Sequence, residues 1–119
     1  MAEGLKRGDL IIVSLPGDYG KPRPAVIVQE IEDTPLETVV ICPLTSTLIA
    51  AGPVRPTITP ATANGLVVTS QVMVDKITTT RIEKAGRRIG ALSSADLEAI
   101  DLSLAKLLGL RKHTGASLG

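Results

Sequence analysis

The sequence predicts a mainly β protein: a small curled antiparallel sheet or barrel, followed by one C-terminal helix. Two observations carry this. Short runs of β-branched residues alternate with clusters of Gly, Pro, Thr and Asp from residue 9 to residue 90, as in closely spaced antiparallel strands. The pattern then changes at "LSSADLEAIDLSLAKLLGL" (92–110), where Leu97, Ile100, Leu104, Leu107 and Leu108 fall at helical spacing and form one apolar stripe.

The elements follow in order. "DLIIVSL" (9–15) is a strand entered from Gly8, and "AVIVQEI" (25–31) is a second strand whose start is set by Pro24. "EDTPLE" (32–37) is a turn cluster. "TVVICPL" (38–44) is a continuous apolar run, read as a strand buried on both faces. A long connection (45–65) carries one short strand near Thr57 to Thr59; ordered loops of this length in small domains are often functional. "LVVTSQVMVDKITTTRIE" (66–83) reads as strand, then strand or bend, then strand, and "KAGRRIG" (84–90) as a basic turn with a strand end. In the helix, Ser93 or Ser94 is the N-cap, Asp96 and Glu98 lie in the first turn, Lys106 lies near the end and Gly109 closes it.

The 119 residues fit one domain (1–119), with flexible ends at 1–5 and 111–119. Apolar residues make up 44% of the chain, with no Phe and no Trp, so the core is aliphatic. The one aromatic, Tyr19, lies in the loop "GDYGK", where it either stacks on a base or packs the loop. A net charge of +1 argues against a broad nucleic-acid coat and leaves room for a local basic groove. The single Cys42 lies in "VVICPL", which predicts a buried thiol and a reducing, cytoplasmic setting. "MAEGLKRGDL" has no long apolar core, so no signal peptide is expected, and no apolar stretch reaches the roughly 18 residues of a membrane span.

One Cys and one tail histidine, His113, cannot supply a zinc site, and no phosphate-loop spacing is present. We expect neither metal nor cofactor. The remaining polar groups lie in loops: Lys21, Arg23, Thr45, Ser46, Thr47, Arg55, Asp75, Lys76 and Arg81. Cations and hydroxyls of this kind suit an anion, above all a phosphate. Arg23 stands between Pro22 and Pro24, which restrict the backbone around it, and its planar fork matches two phosphate oxygens. It is either a phosphate clamp or a rim arginine in an ion pair. The hydroxyls of "PLTST" (43–47) either bind phosphate or satisfy a turn. Asp75, beside Lys76, is either a salt-bridged residue or a carboxylate facing the same groove.

Taken in order, "KRGDLIIVSLPGDYGKPRPAVIVQ", "VICPLTST", "VMVDKI" and "RRIGALSSADLEAIDLSLAKLLGL" resemble the MazF/PemK family of toxin endoribonucleases, from about Lys6 to Leu110. The resemblance implies an SH3-like, CcdB-like barrel with a C-terminal helix and a two-fold homodimer. It also implies cleavage of single-stranded RNA without a metal, and neutralisation by a cognate antitoxin. The family's catalytic arginine and threonine fall on Arg23 and Thr45, and the acid used by some members falls on Asp75. Tyr19, Lys21, Ser46, Thr47, Lys76 and Arg81 are the expected RNA contacts. Cations that some relatives use are Met73 and Thr78 here, and the loop before Arg23 is short. A non-enzymatic gyrase poison and an inactive SH3-like binding module are the rival readings of the same scaffold.

Overall fold

The computed structural model describes residues 4–17, 20–31 and 37–110. Tyr19, most of the 32–37 turn, the tail with His113 and the outer parts of both termini lie outside these residues. The first strand, β1 (Asp9–Ser14), is anchored at its first residue. Asp9 is 1% exposed; its Oδ2 accepts the Lys6 backbone N–H at 2.9 Å, and Arg88 Nε lies 3.0 Å from Oδ1. A buried carboxylate requires such partners.

β2 (Pro22–Ile27), β3 (Thr38–Thr45), β4 (Thr57–Ile58), β5 (Ser70–Val72), β6 (Thr78–Arg81) and β7 (Arg88–Ala91) follow, then α1 (Ser94–Leu108). The strands pair in the order β4-β5-β3-β2-β1-β7, with β6 also on β3, and all of these pairings are antiparallel. β3 is the corner. One of its edges holds β2; along the other, Thr38 to Ile41 pair with β6 and Leu44 and Thr45 pair with β5. The sheet thus curls around β3 into an open barrel, as the sequence predicts.

Both faces of the β1–β2–β3 layer are buried, which explains the continuous apolar runs. Leu10, Val26, Cys42 and Leu44 pack with Ile58, Val72, Val74 and Ile100 of α1. Ile11, Val13, Ala25, Ile27, Val39 and Ile41 form the second core on the opposite face. Burying one such side chain stabilises the fold by about 1.5–3 kcal/mol. The Cys42 thiol is fully buried, and burial, helped by the nearby Asp75 carboxylate, pushes its pKa up to about 12.

The helix ends are those expected. Ser93 Oγ accepts the Asp96 N–H at 3.1 Å. Gly109 adopts φ 69°, and its N–H and that of Leu110 return to Lys106 and Ala105 in a Schellman closure. The stripe is shorter than predicted. Ile100 is buried and Leu97 and Leu104 are partly so, whereas Leu107 and Leu108 are 44% and 55% exposed because the last turn carries them away from the core. Two strand boundaries also differ. The second strand begins earlier, at Pro22, and ends at Ile27. Residues 66–69 are not a strand, and of the strand-or-bend alternatives for the middle of this segment "VDK" takes the bend, as a 3-10 turn (Val74–Lys76).

The reason for the irregular 66–69 segment is local. Asn64, buried, accepts the N–H groups of Ala61 and Leu66 through Oδ1 and donates to Thr59 O, each at 2.9–3.0 Å. Gly65 has φ 72°, and a Cβ there would meet Ile89 O at 2.1 Å; a Cβ on Gly90 would lie 2.4 Å from Asn64 C. This turn is pressed onto β7 backbone to backbone, which no larger residue allows. Gly65→Ala is therefore expected to destabilise the fold by about 2–4 kcal/mol, from the left-handed φ and the backbone clash together. Thermal melting checks this: a fall of roughly 10 °C is expected, and an unchanged midpoint would refute the packing described.

Candidate functional site

β2 opens on two prolines, and the strand pairing shows what they do. Ile12, opposite Pro24, directs its own N–H to Arg87 O at 3.1 Å and accepts from Gly86 N–H at 2.8 Å on the β7 side. The Ile12–Pro24 pair therefore exchanges no ladder bonds, and by strand alternation the absent N–H groups of Pro22 and Pro24 face β3. The registered β2–β3 pairs end at Ala25 with Pro43. Beyond that point the two strands part, and Arg23 and Thr45 stand on either side of the opening.

Arg23 Nη1 reaches across it to Leu44 O in a long hydrogen bond of 3.4 Å. Thr45 Oγ1 accepts the backbone N–H of Thr47 at 3.1 Å, so its hydroxyl proton is directed elsewhere. The "TST" turn is thus satisfied and still offers a donor. It is held by a residue not singled out in the sequence. Gln71, buried and paired with Thr45, accepts the Ile49 N–H through Oε1 at 3.1 Å and donates from Nε2 to Ile49 O at 3.0 Å.

The opening is a cleft of about 320 Å3, lined by Lys21, Arg23, Thr45 and Ser46 on the polar side. Ile12, Leu66, Ile89, Val67 and Val68 make its apolar side, and Arg87 completes the rim. A second cleft meets the first at Arg23 and is bordered by Pro43, Met73, Lys76 and Thr78. Of the expected residues, Lys21, Arg23, Thr45 and Ser46 share one cleft, and Lys76 lines the second cleft, which also borders Arg23. Thr47 contributes its backbone to the Thr45 turn.

Asp75 and Arg81 lie elsewhere. Arg55 Nε and Nη2 donate to Asp75 Oδ1 and Oδ2, both at 3.0 Å, a bidentate pair across the long connection. These bonds hold the Asp75 carboxyl below its ordinary range, with smaller help from its own backbone N–H and the charges of Arg55 and Lys76. The salt-bridged alternative thus describes its state, with Arg55 rather than Lys76 as main partner. Arg81 pairs in register with Thr38, seven residues along β3 from Thr45, which is about 23 Å of strand. Its guanidinium engages Glu83 at 2.7 Å and Glu37 at 3.7 Å.

In the sequence Arg87 stands only as part of the basic turn 84–90. Adjacent strand residues face opposite ways, so Arg88 reaches Asp9 while Arg87 borders the cleft. The doubled arginine was the only signal, and it did not tell which of the two faces the opening.

The structure is thus an antiparallel curled sheet capped by one helix, with an arginine and a threonine at the end of a broken ladder. Residues 6–108 match the family model of the PemK-like, MazF-like toxins of type II toxin–antitoxin systems, and the chain belongs to this family. The "Probable endoribonuclease MazF" of Mycolicibacterium smegmatis is 34% identical over 107 residues, 89% of this chain and 98% of that one. A mycobacterial endoribonuclease solved in complex with its cognate antitoxin superposes with a TM-score of 0.77 at 24% identity, over 92% of this chain and all (100%) of that one. The Mycobacterium tuberculosis toxin MazF-mt6 gives 0.74 at 25% identity, over 87% of this chain and 99% of that one.

The Arg55–Asp75 pair gives a test with a definite sign. The folded pKa of Asp75 is depressed, so the pair stabilises the connection above the ordinary carboxylate value of 3.8 and is lost as the pH falls through the lowered folded value. Arg55→Ala should bring the Asp75 titration, followed by carboxyl NMR shifts, back up toward 3.8. A titration unmoved by the substitution would contradict the pair.

Proposed function

We propose that this chain cuts single-stranded RNA, mRNA included, at specific sequences, by attack of the 2′-OH on the adjacent phosphorus without a metal ion. The observation that carries the reading is the meeting of Arg23 and Thr45 in one cleft where the β2–β3 ladder ends. RNA brings its own nucleophile, so the protein must hold the 2′-oxygen in line and stabilise charge on the phosphate oxygens. The 2′-oxygen bonds to phosphorus as the P–O5′ bond breaks. The 2′ proton leaves, the 5′ oxygen gains one, and the products are a 2′,3′-cyclic phosphate and a 5′-OH end.

In this reading Arg23 binds two phosphate oxygens through its fork, and Thr45 donates its hydroxyl proton to a non-bridging oxygen. The Thr45 oxygen already accepts from Thr47 N–H, which orients that donation. Asp75, held as an anion by Arg55, is a weak base near neutrality. We place it as the anchor of the long connection and of any substrate contact that Arg55 and Lys76 make. Lys21, Ser46, Thr47 and Lys76 contact the flanking backbone; Tyr19 and Arg81 remain candidate contacts through the loop before Arg23 and the far end of the sheet.

The family and the mycobacterial complex support a cognate antitoxin as partner, whose acidic, apolar segment would order in the cleft. A second copy is the natural cover for the exposed apolar end of α1, where Leu102, Leu107, Leu108 and Leu110 stand in solvent. Action on mRNA places the protein in the cytoplasm. Among the described residues no helix is long and apolar enough to cross a membrane.

Arg23→Ala should lower kcat about 10^3-fold while the fold survives, and Thr45→Val about 10–100-fold. The measurement is cleavage of a mixed-sequence RNA in chelator, with mapping of 5′-OH ends. Cutting by Arg23→Ala at the wild-type rate would defeat the assignment. A 2′-deoxy nucleotide at the mapped site should abolish cutting; a deoxy site still cut would point to attack by water.

A further inference from the structure

We propose that Arg87 and the Val67–Val68 pair complete a one-nucleotide subsite beside Arg23, the residues that bind and choose the nucleotide next to the scissile phosphate. This rests on the nuclease reading above and adds the side chains that set affinity and base preference. The cleft has two chemically distinct walls. Arg23, Lys21 and Arg87 bring three cations to one opening in a chain of net charge +1. The floor and opposite rim are aliphatic, from Ile12, Ile89 and Leu66 to Val67 and Val68. A ligand that fits must be anionic at one end and flat and apolar at the other, which describes a nucleotide. At about 320 Å3 the space is of small-molecule size and too small for a helix of nucleic acid.

Arg87 is placed rather than merely exposed. Its carbonyl accepts the Ile12 N–H at 3.1 Å, so β1 fixes its backbone, and among the described residues no carboxylate pairs with it. A guanidinium there can bind the phosphate or lie on the face of the base. The valines stand on the turn that Asn64 ties down and that Gly65 and Gly90 press onto β7. Val67 is 90% exposed and Val68 52%, directly after that pinned turn. A rigid rim orders little on binding, so contact with a base is retained as affinity. This chain has no Phe or Trp to stack on, and an aliphatic rim supplies the apolar surface instead.

The test uses the full-length protein and a mixed-sequence single-stranded RNA. Wild type, Arg87→Ala, Arg87→Lys and the double Val67→Ser/Val68→Ser variant each cut the RNA, and the 5′-OH ends are mapped. KM and kcat are then measured on an oligonucleotide carrying the mapped site. Arg87→Ala should raise KM about 10–100-fold with kcat changed less than about threefold, and Arg87→Lys should recover part of the loss. The valine variant should relax base preference at one position beside the cut. All three should melt within about 2 °C of wild type, as solvent-facing changes do. Variants that cut the same positions with wild-type KM overturn the subsite and leave the nuclease reading standing. A wild type that leaves RNA intact overturns both.

Discussion

Two missing hydrogen-bond donors shape the molecule. Pro22 and Pro24 cannot bond to β3, so the ladder between β2 and β3 ends at Ala25 and Pro43, and the sheet opens where it would otherwise continue. The opening costs little because those strand ends find other partners. The Leu44 carbonyl, which faces the opening, accepts from Arg23 Nη1 instead of from a ladder N–H. The prolines also hold the Arg23 backbone extended, so little conformational freedom is left for its base to lose on binding. The two cores on either face of β1–β2–β3 make this arrangement rigid, since neither strand can shift without moving buried aliphatic side chains.

The electrostatics follow from the same geometry. Many of the charges are neutralised by pairing away from the cleft: Arg88 with Asp9, Arg55 with Asp75, Arg7 with Asp101, Arg81 with Glu37 and Glu83. A net charge of +1 is therefore compatible with a cleft that concentrates positive charge. The potential belongs to an opening walled by low-dielectric aliphatics, where a phosphate is held more strongly than on an open surface.

Much of the fold was legible because it is local. The β-branched runs, the helix stripe, the Ser93 cap and the Gly109 closure each depend on residues within a few positions of one another. Arg23 could be singled out because its two prolines are its neighbours, and Thr45 because it ends an apolar run. The failures were non-local. "LVV" (66–68) has the composition of a strand, but the Asn64 bonds and the glycine contact with β7 decide its conformation. Arg55 and Asp75 are 20 residues apart and meet only because the connection folds back. Arg87 faces the cleft because of how β7 pairs with β1, where the register shifts between Leu10 and Ile11. The end of the helix stripe reads as core and lies in solvent, because periodicity shows a face and not what covers it.

The account stands or falls on Arg23 and Thr45 acting on one and the same phosphate. A double-mutant cycle on kcat/KM, with Arg23→Ala, Thr45→Val and the combined variant against one RNA site, measures this directly. Shared action predicts that the double variant is scarcely worse than Arg23→Ala alone, a coupling of at least about 1 kcal/mol. Losses that simply multiply would mean that the two side chains work independently, and would contradict the site described.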